Sequence, residues 1–228
     1  MGVTNALYNY GFKYTNPDKP YDLEGFVNSK GAIEGLEFYK SLYDCCVPPG
    51  SSDWYMSQNI DAYKSGQVAL QMNFAFIWPG VEADPNVGGG KSGYFANPAG
   101  PAGHFAQLGG QGISVVSYSE NQEAALEYIQ WFAQEEIQKK WWSLGGYSAL
   151  KAVVEDPGFA TSQPYAQTFL DSMAIVKDFW AEPSYASLLL SMQDKVHKYV
   201  VAGQGTAQEA LDGLVEDWTE VFEDDGKL

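Results

Sequence analysis

The chain has 228 residues with 29 acidic side chains against 13 basic ones, a formal net charge of −16, and every basic residue is Lys. That balance lacks the positive field that nucleic acid or an anionic membrane surface requires, and without Arg there is no bidentate guanidinium clamp for carboxylate or phosphate. An apolar fraction of 45% against 18% charged residues excludes disorder.

The first 26 residues are rich in Tyr, Asn, Pro and Gly and read as an irregular strand-and-loop stretch. They carry neither the basic n-region nor the apolar h-region of a secretory signal, and no run is long and apolar enough to span a bilayer. A helix is predicted from about Ser29 to Tyr43, with Ile33, Leu36, Tyr39 and Tyr43 at helical spacing and Pro48-Pro49 ending it. The adjacent Cys45 and Cys46 are expected to be half-buried thiols, because neighbouring cysteines bridge only with strain; a vicinal disulfide is the alternative. A short helix fits Ser57 to Lys64 and stops at Gly66.

Val68 to Asn73 reads as a buried strand, followed by a loop-like region over 84–112 with a short strand at Tyr94-Phe95. A further strand is expected over Ile113 to Val116. Ser119 with Gln122 has the form of a capping box for the next helix. Helices then follow over Glu135 to Trp142, Tyr165 to Phe179, Tyr185 to Val201 and Ala207 to Phe222. In the last, Thr206 and Glu209 form the box, and Leu211, Leu214, Val215, Trp218 and Phe222 form the apolar stripe. Many helices and few strands suggest α/β architecture with part of its sheet absent.

Nothing in the sequence points to catalysis. His104 and His197 are far apart, belong to no metal-binding spacing and read as solvent-facing. No GxSxG elbow occurs, and most carboxylates lie on helix faces or in the acidic tail. Gly88-Gly89-Gly90-Lys91-Ser92 lacks the phosphate-loop frame, and Gly109-Gly110-Gln111-Gly112 precedes a strand instead of following one. No cofactor and no metal are expected. The aromatics, 15% of the chain, offer flat apolar faces with polar tips that suit neutral polyhydroxylated ligands. Asn73, Phe74, Phe76 and Trp78 stand where a sheet would present its C-terminal edge, and Asn73 and Gln111 can both donate to and accept from hydroxyls. The plainer alternative is that Phe74 and Phe76 are core.

Gly66-Gln67-Val68-Ala69-Leu70, with Asn73 and Trp78 beyond it, resembles the G-x-x-A-M strand of ABC-transporter extracellular (periplasmic) solute-binding proteins, in the sugar-binding group that includes maltose-binding protein. Further pieces follow in the family's order: Pro98-Ala99-Gly100-Pro101, Gly109 to Ile113, Ser119 to Ala125, Asp156-Pro157, Pro183-Ser184-Tyr185 and Ala202 to Leu211. Each is weak, and their order across nearly the whole chain carries the likeness. The resemblance implies an incomplete, type II periplasmic-binding-protein-like, two-lobed α/β fold, covering the C-terminal part of the family. Residues 1–112 and 153–228 would then belong to the second lobe and 113–152 to a return excursion into the first.

The function so implied is the substrate-binding component of an importer, not an enzyme, taking a neutral carbohydrate into a cleft and docking on a membrane permease. The location implied is periplasmic, or extracellular with a lipid anchor, for the full-length protein. Carried over, the ligand-binding residues are Asn73, Phe76, Trp78, Gln111, Tyr147, Tyr185 and Trp54. Phe76 stands where the group has a stacking tryptophan, whereas Gln111 departs from the usual tryptophan and Tyr147 lacks the usual neighbouring proline. Ile129, Phe132, Trp141 and Trp142 would face the missing lobe, so the fragment would be prone to self-association. A polyol or polyamine carrier is an alternative within the class, Asp53 beside Trp54 keeping the polyamine open. A sugar-active hydrolase and a pure interaction module are the alternatives outside it.

Overall fold

The computed structural model describes residues 2–178 and 180–228. In chain order the regular elements are α1 (Gly2–Asn9), α2 (Lys30–Cys46), α3 (Met56–Lys64), α4 (Trp78–Glu82), β1 (Ala106–Gln107), α5 (Gln122–Phe132), α6 (Glu135–Ser143), α7 (Lys151–Val154), α8 (Ala166–Met173), β2 (Val176–Lys177), α9 (Tyr185–Val200) and α10 (Ala207–Asp224). Two compact units result. One holds residues 2–72, 97–108 and 175–228; the other holds 73–96 and 109–174.

The core of the first unit is built from α1, α2, α9 and α10. Leu7, Phe12, Val27, Leu36, Leu188, Leu211, Leu214, Trp218 and Phe222 are fully buried in it. α10 behaves as its sequence predicts: Thr206 Oγ1 accepts from Glu209 N–H, and the Glu209 carboxylate accepts from Thr206 N–H. The reciprocal cap satisfies two helix-end donors. α2 is capped by Ser29, and α3 ends at Gly66, whose φ of +76° suits a residue without Cβ. The Trp218 indole N–H donates to the Leu188 carbonyl at 2.9 Å, tying α10 to α9.

α1 corrects the loop expected at the start of the chain. Its helical propensity is poor, but Val3, Leu7 and Tyr8 bury one face and tertiary packing overrides propensity. Its asparagines have a second use. Asn5 Oδ1 accepts from Gln107 N–H at 2.7 Å and Asn9 Oδ1 from Phe105 N–H at 2.9 Å, so two side chains one helical turn apart hold β1. β1 pairs in parallel with β2, Ala106 against Val176 and Gln107 against Lys177. Strands of two residues are too short to leave a period in the sequence.

The strands expected at Val68–Asn73, Tyr94-Phe95 and Ile113–Val116 form no ladder among the described residues. The residue types are right, but a strand exists only through a partner, and none is provided there. The capping box expected at Ser119 is also absent: Ser119 Oγ accepts from Asn121 N–H in a turn, and the helix starts at Gln122. α8 stops at Met173, because the chain turns into β2; the expected end at Phe179 lies outside the described residues. Cys45 and Cys46 are joined by a disulfide and both are exposed, contrary to the expected half-buried thiols. They lie in the last turn of α2, which is open to solvent.

The second unit is organised around aromatic rings. Trp142, Phe159 and Tyr165 are buried, with Trp78, Tyr94, Tyr147 and Phe169 packed around them. Trp142 lies over Phe159 with ring centres 4.3 Å apart, and its indole N–H donates to Ser162 Oγ. Trp142 is therefore core, not a surface residue awaiting another lobe. The other three differ: Ile129 and Phe132 are half-buried and Trp141 is exposed. No residue of α5 is buried, and Leu126, Tyr128 and Trp131 are open to solvent.

Replacing Phe222 by Ala should destabilise the first unit by about 3–5 kcal/mol, the usual cost of emptying a filled aromatic site. Thr206→Ala should cost about 1 kcal/mol through the lost cap. Urea denaturation followed by far-UV circular dichroism measures both, and the ranking of the two is the check.

Candidate functional site

The predicted site residues divide between the two units. Asn73, Phe76, Trp78, Gln111 and Tyr147 belong to the second, and Trp54 and Tyr185 to the first.

In the second unit the chain from Asn73 makes a compact ledge. Asn73 is half-buried, and its Oδ1 accepts from Phe74 N–H at 2.9 Å. Residues Ala75–Ile77 then form one turn of 3-10 helix, which leads directly into α4 with Pro79 in its first turn. Ile77 points into the unit and is buried, whereas Phe76, one residue earlier, is 50% exposed. The turn is held from behind by Tyr147, whose hydroxyl donates to the Ala75 carbonyl at 2.6 Å. The Tyr147 ring is wedged against Phe169 and Trp142, with centres 5.0 and 5.5 Å away. Tyr147 thus fixes the peptide that presents Phe76.

Trp78 is half-buried and packs on Tyr94 at 5.5 Å and Tyr165 at 5.8 Å. Most of its ring is therefore engaged within the aromatic cluster. Gly109 lies against Phe74: a Cβ there would come within 2.5 Å of the Phe74 ring. This close approach requires glycine; Gln111, two residues later, is exposed.

Sequence spacing does not disclose Glu82 and Tyr94. The Tyr94 hydroxyl donates to Glu82 Oε2 at 2.9 Å, and Gly90 N–H donates to Glu82 Oε1. Thr168 Oγ1 donates to the Tyr94 carbonyl, which pins the segment beside α8. Partners 12 and 74 positions apart leave no local signal. The only cue was the abundance of aromatics.

In the first unit, Tyr185 opens α9 and is half-buried. The start of α9 is anchored by Lys227, which meets the buried Glu182 carboxylate and donates to Ser184 Oγ and Asp225 Oδ2 at 2.9 Å each. Tyr185 neighbours the Tyr8 and Tyr14 hydroxyls. Burial is the main reason that both phenols resist ionisation; Tyr8 is pushed up to about 12, and Tyr14 higher still with Tyr8 and Tyr185 adding to the effect. Trp54, half-buried, follows a 3-10 turn at Ser51–Asp53 and lines a cavity within its own unit. His104 and His197 are exposed. Among the described residues no three His, Cys, Asp or Glu side chains gather as a metal site would need.

The sequence and the fold have relatives. Residues 6–168 match the profile of the family described as bacterial extracellular solute-binding protein. The chain belongs to that family. Among solved structures, it superimposes on maltose-bound T. maritima MalE3 with a TM-score of 0.83 at 22% identity, covering 96% of this chain and 56% of that one. It also matches a ribitol-bound ABC transporter solute-binding protein of Agrobacterium radiobacter K84, with a TM-score of 0.76 and 20% identity, covering 96% and 56%. A probable ABC transporter-binding protein of Deinococcus radiodurans is 25% identical over 115 residues, which is 50% of this chain and 27% of that protein. The fold is thus the type II periplasmic-binding-protein fold expected from the sequence motifs, helix-rich and with few strands. The chain spans 27% of that curated relative and little more than half of the solved structures.

Burial of Tyr8, Tyr14 and Tyr147 makes a prediction for alkaline pH. Each has a folded-state pKa raised above its ordinary value of 10. The unfolded chain therefore loses these protons first, and stability, flat below about pH 10 on this account, falls as pH rises toward 12. Spectrophotometric titration at 295 nm should show a tyrosine fraction that ionises only with unfolding. Tyr147→Phe should remove one member of that fraction.

Proposed function

We propose that this chain is part of the solute-binding component of an ABC importer, and that it binds a neutral carbohydrate without covalent chemistry. The supporting observation is the Phe76 ring: an aromatic face left half open on a turn that the Tyr147–Ala75 hydrogen bond holds in place. Stacking of a sugar's apolar face on such a ring contributes about 1 kcal/mol beyond burial, by analogy with aromatic pairs. Asn73 and Gln111 are the proposed hydroxyl readers, since a buried polar group left unpaired costs about 1–3 kcal/mol and so discriminates among stereoisomers. Trp78 and Tyr147 support the ledge from within as well as bordering it. Trp54 and Tyr185 are proposed as ligand-binding residues as well.

Residues 113–152 are proposed as the excursion into the first lobe, with 1–112 and 153–228 in the second; the compact unit that holds 113–152 also takes in 73–96, 109–112 and 153–174, so the proposed boundaries cut across it. The absence of any buried residue in α5 supports this, since a helix that exposes Leu126, Tyr128 and Trp131 has a face suited to cover. A membrane permease is the proposed partner. The proposed location is outside the cytoplasmic membrane, periplasmic or lipid-anchored.

A polyol is the second reading, favoured by the ribitol bound in the Agrobacterium protein. The test uses the natural product captured from its own cells, titrated with maltose, tagatose, ribitol and spermidine while tryptophan fluorescence and heat are followed. A saturable response to a neutral saccharide, with the saccharide recovered unchanged, is expected. Phe76→Ala should weaken that binding about fivefold. A response to ribitol alone selects the polyol reading, and a response to spermidine alone, or cleavage of the sugar, overturns the proposal.

A further inference from the structure

The Cys45–Cys46 bond at the end of α2 takes no part in the proposed ligand site. It also ties no two elements together, since both residues belong to the last turn of one helix and already share a peptide bond. In the chain-entropy account a disulfide stabilises by closing a long loop of the unfolded chain, and adjacent residues close the shortest loop there is. Nor is the bond shielded. Cys45 and Cys46 are both exposed, as are Asp44 before them and Val47 after. An exposed bridge with no elements to staple belongs with the labile disulfides that exchange with small thiols, whereas structural bridges resist them.

The chain that leaves this bond is stiff. Val47 is extended, and Pro48 and Pro49 each have a φ fixed by the ring. Ser51 N–H donates to the Pro48 carbonyl, Asp53 N–H to that of Gly50 and Trp54 N–H to that of Ser51. A short hydrogen-bonded run with little slack thus joins Cys46 to Trp54. The two side chains also line one cavity of about 520 Å3, together with Tyr43 and Pro48. A change in the bonding of Cys46 therefore reaches the Trp54 indole by two routes, along the backbone and through the shared wall.

We propose that Cys45–Cys46 is a thiol-exchange site on the surface of the first unit, and that its state is sensed at Trp54. The partner is a small thiol. The thiolate of one such molecule attacks one sulfur of the pair, forming a mixed disulfide and releasing the neighbouring cysteine, which takes up a proton. A second thiol then displaces the first molecule from the protein. The protein is left with two thiols, and the two small thiols, having supplied two electrons and two protons, leave as one disulfide. The exchange needs no bound solute, so this proposal and the carbohydrate reading can each fail without the other.

The natural protein, purified from its cells, is equilibrated across a series of reduced-to-oxidised glutathione ratios, alkylated, cut with trypsin and read by mass spectrometry. The tryptic peptide of residues 41–64 carries both cysteines and Trp54. It should hold an internal disulfide at the oxidised end, and the closed fraction should fall at least about tenfold toward the reduced end and recover on return. Tryptophan emission should rise as the bond opens, because a disulfide quenches a nearby indole, and Trp54→Phe should abolish the rise. The double variant Cys45→Ser, Cys46→Ser should show the open-state emission at every ratio. Closure throughout the series, two free thiols at its oxidised end, or a cross-link from either cysteine to another peptide overturns the proposal. So does an emission change that is absent, or that survives either Trp54→Phe or the double variant.

Discussion

The indole of Trp218 is the hub on which the first unit turns. It is fully buried, its N–H is satisfied by the Leu188 carbonyl, and its ring lies 6.0 Å from Tyr14 and 5.8 Å from Trp180. A buried indole needs a partner for its one donor, and here that partner is the backbone of α9. The bond couples the axial position of α10 to that of α9. Because α9 begins at Tyr185, the same coupling places the proposed ligand-facing residue of this unit. The Lys227–Glu182 pair reinforces the arrangement from the chain's C-terminal end, where a buried carboxylate gains the cation that it needs.

The second unit achieves a similar result without long helices. Its rings meet at tilted and edge-on angles, Trp142 with Tyr165 and Tyr147 among them, which is how aromatic quadrupoles prefer to pack. Three polar tips of this cluster have acceptors: Ser162 for Trp142, the Ala75 carbonyl for Tyr147 and Glu82 for Tyr94. Phe76 is the ring that the cluster does not take in. Its exposure follows from the 3-10 turn at Ala75–Ile77, in which successive side chains point about 120° apart, so that Ile77 is buried and Phe76 is not.

Elsewhere the molecule leaves surfaces that its own residues do not complete. α5 is helical with no buried residue; Ile129 and Phe132 are half-buried, and Tyr128, Trp131 and Phe132 pack on one another along it. Lys139 meets Glu135 and Asp156 at 2.8 and 3.4 Å, and these exposed ion pairs hold α6 and the turn after α7 only weakly. Such uncovered elements are compatible with a fold that continues beyond the residues aligned here, since the solved relatives are nearly twice as long in matched terms.

Local chemistry was legible in the sequence. The boundaries of α2, α3, α6, α9 and α10 follow from caps, terminal glycines and an apolar stripe, all of which act over one or two helical turns. The family was legible too, because short motifs survive in order even where each is weak alone. The strands were not, since a strand's existence depends on a partner that may be far away in the chain: β1 joins β2 across 70 positions, while Val68–Met72 has the right residues and no neighbour. Nor could the sequence place α1, whose asparagines signal a turn until the Phe105 and Gln107 N–H groups donate to them. For the candidate site, residue types suggested Phe76 and Asn73, but only packing separated the open ring of Phe76 from the engaged ring of Trp78. The sequence by itself thus determined most of the longer helices, the family and the residue types of the candidate site. Tertiary structure alone decided which rings are core, which strands exist and which backbone remains unpaired, because each of those depends on contacts between residues distant along the chain.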